Sequence, residues 1–269
     1  MNNFFIKFFI CMLVFNSCLA EYKAEIYLNT GALIVDNKID VINNKLVLGS
    51  KTSMLDIKLI NNINFVFDNF NNDICSSLFR SKKFTSLEGL LEEIIPLKKF
   101  SNLQSNLFDY HIWLLKSQIW NRNFDDAKES IKFLSSSKNI RSKKLSDLYN
   151  VYILLEEGDY INAKKYYSLI NESPDEAKTM ILYLESRINF IEKNYSASLE
   201  KIAKILTYYS REHEWIPATL LLELNIYLEK KQYDKALYVI NEIKWSYPKS
   251  MWIKNVNLLL EKYSLEGIL

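Results

Sequence analysis

The feature that most limits how this chain can fold is a short pattern that returns four times at nearly constant spacing. An aromatic residue is followed three places on by a small one: Phe124/Ala127, Tyr160/Ala163, Tyr195/Ser198 and Tyr233/Ala236, with the aromatics 36, 35 and 38 residues apart. After each small residue an apolar side chain stands at four and at seven places, as Ile131 and Leu134, Tyr167 and Ile170, Ile202 and Ile205, and Ile240 and Ile243. A polar pair precedes each aromatic: Arg122-Asn123, Gly158-Asp159, Lys193-Asn194 and Lys231-Gln232. With an amphipathic stretch upstream of every such pair, the pattern predicts helix–turn–helix units. The small residue lets paired helices approach, and the aromatic plugs the turn.

The segments NRNFDDA, GDYINA, KNYSAS and KQYDKA resemble the tetratricopeptide repeat, and Tyr227 matches that family's first-helix aromatic. Pro248 stands where the family closes a repeat, and Pro174 falls one residue short of that place. No unit carries the family's Leu-Gly pair in its first helix, and the spacing exceeds 34 residues. The resemblance implies a helical array over residues 105–269, with residues 250–266 as the terminal helix that covers the last unit. It also implies a concave surface, lined by the first helices, that holds a protein or peptide partner. The stripe that would face such a groove is Ile112 and Ile119; Leu148, Tyr152 and Leu155; Tyr183, Arg187 and Phe190; and Leu221, Asn225 and Leu228. If the departures from the family shift the phase, the same residues are core. Both readings stay open on the sequence alone.

Residues 21–70 have a different rhythm. Short β-rich runs at 24–28, 32–36, 38–42, 45–50, 54–60 and 63–67 are separated by Thr30-Gly31, Asn37, Asn43-Asn44, Gly49 and Asn61-Asn62, the punctuation of short antiparallel strands. So small a module must close into a barrel or lean on its neighbours, because an open sheet of this size buries little. The run IYLNTGALIVD resembles the opening of Sm-like or SH3-like small barrels. Residues 71–84 show no sustained period and read as a connector. Thr85-Ser86-Leu87-Glu88 has the spacing of a capping box for a short helix with Leu87, Leu90, Leu91 and Ile94 on one face, stopped by Pro96. The fold expected is mainly α: a tetratricopeptide-like array over 105–269 after a small antiparallel β domain at 21–70, with a linker and short helix at 71–104.

Residues 1–20 combine Lys7, an apolar run from Phe8 to Phe15 and a polar stretch ending in small residues. That is the layout of a secretory signal, too short in its apolar core to span a bilayer. Cleavage after Ala20 and lipoprotein processing at Cys18 are both compatible with it, although Phe15-Asn16-Ser17-Cys18 matches a lipobox only at Ser17 and the cysteine. The expected location is the periplasm, with a lipid on Cys18 as the one route to a membrane. After cleavage at Ala20 only Cys75 remains, so an exported chain folds without an internal disulfide.

Several functions are excluded by what the chain lacks. The 34 Lys and Arg residues against 32 Asp and Glu residues leave no global field to draw in nucleic acid. Five scattered glycines supply no phosphate-cradling loop. His213 opens a zinc-protease-like H-E-x-x sequence, but Pro217 occupies the place of the second histidine, and His111 is alone. The adjacent acids Glu92/Glu93, Asp125/Asp126 and Glu156/Glu157 would point to different sides of a helix. Trp113 and Trp120, seven apart, read as core. The reading is therefore non-catalytic, with no metal and no cofactor: a scaffold or adaptor for a protein partner in the envelope. The alternative is an accessory carbohydrate- or cell-wall-binding module.

Overall fold

Alternating apolar residues put Ala24, Ile26, Ile63, Phe65 and Phe67 on the buried side of two antiparallel strands in the computed structural model, which describes residues 22–49, 53–170, 174–248, 251–263 and 265. The six strands among the described residues are β1 (Tyr22–Leu28), β2 (Leu33–Asp36), β3 (Ile39–Ile42), β4 (Lys45–Leu48), β5 (Ser53–Asp56) and β6 (Ile60–Phe67). They form two three-stranded antiparallel sheets, ordered β2-β1-β6 and β3-β4-β5. The run expected as one strand at 54–60 breaks at a 3-10 helix, Ile57–Leu59, begun by the Asp56 carboxylate accepting from the Lys58 amide at 2.9 Å. The chain thereby returns to pair with β1, at the edge of the first sheet.

Eleven α-helices follow among the described residues: α1 (Asn72–Arg80), α2 (Phe84–Leu91), α3 (Leu107–Trp120), α4 (Phe124–Ser136), α5 (Ile140–Glu156), α6 (Tyr160–Ser168), α7 (Lys178–Ile191), α8 (Tyr195–Tyr208), α9 (Ile216–Glu229), α10 (Tyr233–Ser246) and α11 (Met251–Lys262). The protein is mainly α with a small antiparallel β region at its N-terminal side. It divides into two compact units, Met1–Lys143 and Lys144–Leu269.

In the first unit the sheet leans on helices, as its size requires. Phe65 packs against Phe100 at 5.3 Å between ring centroids, and Phe67 and Phe70 both meet Tyr110 edge-on at 5.4 and 5.2 Å. The segment before α3 continues the sheet edge: Ile63 N–H donates to Gln104 O at 2.9 Å. The Asn106 side chain both accepts from Phe65 N–H and donates to Phe65 O at 2.8 Å, standing in for a strand.

Three expectations for residues 71–96 are corrected. The supposed connector is α1, with Asn71 Oδ1 accepting from Ile74 N–H at 2.9 Å and with Cys75 and Phe79 buried one turn apart. A single short turn of buried positions is too little periodicity to see in sequence. The capping box does not form, because α2 already begins at Phe84, whose ring packs on Phe79 at 5.2 Å. Glu88 instead receives hydrogen bonds from Asn121 and from Asn123 (2.9 Å), tying α2 to the turn after α3. Nor does Pro96 stop the chain's helical course, since a 3-10 helix over Glu92–Phe100 runs through it.

The turns between paired helices share one construction. Arg122, Gly158, Lys193 and Lys231 each have positive φ, and the next residue donates its N–H five residues back, as in Asn123→Gln118, Asp159→Leu154, Asn194→Asn189 and Gln232→Tyr227 at 2.8–2.9 Å. This is the Schellman closure of the preceding helix. The following helix starts at the aromatic in every case, and Ala127, Ala163, Ser198 and Ala236 are fully buried. A fifth copy joins α1 to α2: Lys82 has positive φ and Lys83 donates to Leu78 at 2.9 Å. The aromatic-and-small pattern does not mark this copy, because Leu87 stands where the others have Ala or Ser. Where the small residue is Ser198, its hydroxyl lies 2.9 Å from that of Ser186 and donates to Ser186 O at 2.8 Å, so the buried polar atoms are satisfied.

Candidate functional site

The groove stripe expected from the sequence is only partly a surface. Ile112, Ile119, Leu148, Tyr152, Leu155, Tyr183 and Leu228 are buried, whereas Arg187, Phe190, Leu221 and Asn225 are half-buried. For the seven buried residues the packed reading applies: the first helices are apolar on more than one side because more than one side is covered. Ile112 and Ile119 belong to the core of the first unit, on α3. The rest of the stripe lies in the second unit. Cys18 lies outside the described residues.

Within the second unit, two stripe residues, Tyr152 and Tyr183, meet Trp215, which the sequence offers only as part of a failed zinc motif. Its ring lies 5.4 Å from Tyr152 and 5.2 Å from Tyr183, with Tyr149 at 6.2 Å. Tyr149, also unforeseen, is buried and donates its hydroxyl to Glu214 Oε1 at 2.7 Å. Burial first, and the Glu214 carboxylate second, hold that phenol well above its ordinary pKa, so it remains a donor. At the edge of these rings Arg187 donates to Glu156 Oε1 at 2.7 Å, to the Tyr183 hydroxyl at 3.1 Å and to Leu155 O at 3.5 Å. Burial raises the Tyr183 pKa while the Arg187 charge opposes the shift.

The result is a packed aromatic floor with one paired guanidinium whose side chain is 21% exposed. Phe190, one turn further along α7, packs against Tyr195 at 5.9 Å between centroids. On α9, Leu221 is half-buried, and Asn225 Oδ1 lies 2.9 Å from the Tyr263 hydroxyl, which is also 2.6 Å from Glu229 Oε1. The residue types of Tyr152 and Trp215 are plain in the sequence, but nothing local says that residues 63 apart face each other.

Chemically this arrangement is a packed cluster of rings edged by one ion pair. Cys75 is buried and unpaired with any other cysteine, and burial pushes its thiol up to about 11, away from thiolate chemistry at neutral pH. His213 is exposed ahead of α9. Among the described residues no group of three or more His, Cys, Asp or Glu side chains is placed to hold a metal ion. No described helix is long and apolar enough to cross a membrane.

Comparison with known proteins finds no matching family model, no matching curated protein and no matching solved structure.

Proposed function

We propose that this chain is an exported, non-catalytic scaffold or adaptor that holds a protein partner on its tetratricopeptide-like helices. The observation that carries the reading is the built rim in the second unit. Arg187, Phe190, Leu221 and Asn225 keep part of their surface on the first helices of successive hairpins, above rings that are packed and hydrogen-bonded. A preorganised floor with an aromatic and an Arg at its edge is the kind of surface on which a peptide or helix gains affinity. The recurring turns support the tetratricopeptide resemblance, in which first helices face the partner. Export follows from residues 1–20, with the lipid on Cys18 as the alternative to plain release into the periplasm.

A photo-cross-linking side chain at Leu221 tests the proposal, with one at the exposed Lys165 of α6 as control. In the native envelope Leu221 should give one discrete adduct that Lys165 does not give. The adduct should fade in a Phe190→Ala background whose thermal melt is unchanged. Identical adducts from both positions, or none at Leu221, would overturn it.

A second reading, an accessory carbohydrate- or cell-wall-binding module, draws on another face. Tyr238 and Trp245 of α10 are 72% and 89% exposed, seven residues apart with exposed Asn241 between them. Rings flanking an amide suit a sugar chain. Retention on purified cell-wall sacculi that is lost on Trp245→Ala would favour this reading over the first.

A further inference from the structure

Charges in this chain are nearly balanced, yet one cleft in the first unit gathers cations without partners. It has a volume of about 590 Å3 and lies where the turn between β3 and β4, the 3-10 helix before β6, the segment ahead of α3 and the residues after α4 converge. Lys45, Lys58 and Lys138 line it and make no ion pair among the described residues. The single carboxylate on the lining, Asp56, already accepts from the Lys58 backbone N–H.

The rest of the polar lining is amide. Asn43, Asn44, Asn61, Asn102 and Gln104 all face the cleft, and none of these side chains has a hydrogen-bond partner among the described residues. A side-chain amide offers a donor and an acceptor in one plane, which suits the neighbouring hydroxyls of a sugar ring. The apolar part of the wall is small, being Leu103 with Ile57 and Ile60. The lining carries no aromatic ring on which bases could stack, which disfavours a single-stranded nucleic acid. The volume falls within the range of small-ligand sites.

We propose that this cleft binds an acidic saccharide: a hydroxyl-rich ring carrying a carboxylate or phosphate, with the anionic group held by Lys45, Lys58 and Lys138 and the hydroxyls by the amides. The cleft belongs to the first unit, and its assignment does not rest on what occupies the rim in the second.

Calorimetric titration of the mature protein at low ionic strength tests the assignment. The probes are a galacturonate trisaccharide, glucose 6-phosphate, neutral maltotriose and inorganic phosphate. At least one acidic sugar should bind, at least tenfold more tightly than maltotriose and than inorganic phosphate. Which of the two binds identifies the anionic group as carboxylate or phosphate. The double variant Lys45→Gln/Lys58→Gln should weaken that binding at least tenfold, and Asn102→Ala should weaken it with the lysines intact. All three positions are exposed, so the melts should match the parent protein. The proposal falls if neither acidic sugar binds, if maltotriose or inorganic phosphate binds as tightly, or if folded variants retain full affinity.

Discussion

A sealed imidazole keeps its proton only at a high cost, and His111 on α3 is fully buried, its ring centroid 4.2 Å from that of Phe133, with neither nitrogen hydrogen-bonded among the described residues. Burial first, and the Lys98 charge second, lower its pKa from 6.5 to about 3. The unfolded chain protonates this residue near pH 6.5, well before the folded chain can. The folded state therefore loses stability as pH falls from about 6.5 towards 3, by up to about 1.4 kcal/mol per pH unit. His111→Leu should remove that contribution while the carboxylates titrate as before. Denaturation free energies at pH 7, 5.5 and 4 check it: the gap between variant and parent should shift steadily in the variant's favour as pH falls. A gap that stays constant would mean that His111 does not fold as a neutral buried group.

At the scale of elements, the turns explain why five helical hairpins can be built from unlike sequences. Each needs one residue with positive φ, and only Gly158 meets that demand without strain; Lys82, Arg122, Lys193 and Lys231 pay for a left-handed conformation. Lys193→Gly should raise stability by about 0.5–1 kcal/mol, and Gly158→Ala should lower it by about 1 kcal/mol or more. Urea midpoints moving in the same direction for both would show that the conformation of this residue is not what limits the turn. The small residue three places into the second helix is the other constant, kept in four of the five. Ala163 is fully buried, and Ala163→Leu should overpack the hairpin and cost about 1–3 kcal/mol. An unchanged midpoint would contradict the close approach of paired helices at that position.

At the scale of the whole molecule, the proposal of export rests on the signal-like order of residues 1–20: Lys7, the apolar run Phe8 to Phe15, then small residues. Intact mass of the protein purified from its own envelope should correspond either to a chain beginning at Glu21 or to one beginning at a lipid-bearing Cys18. Recovery of the full 269-residue chain from the cytoplasm would defeat export in both forms.

What the sequence by itself determined is what short-range chemistry decides. The starts of α4, α6, α8 and α10 at Phe124, Tyr160, Tyr195 and Tyr233, and the burial of the small residue after each, follow from turn residues and helical spacing within a few positions. The strand positions at the N-terminal side were legible for the same reason, through alternation and turn signals. The tertiary structure alone decided which apolar stripe is covered. Tyr152 and Tyr183 read equally as groove or core until Trp215, distant in the chain, is seen packed against both. It also decided that β6 returns to β1 and that residues 72–80 are helical, held by contacts such as Phe79 on Phe84 and on Trp113. Helix starts and turns are local free-energy minima, whereas burial is a property of whatever element arrives to cover a face, and no window of the sequence contains both partners.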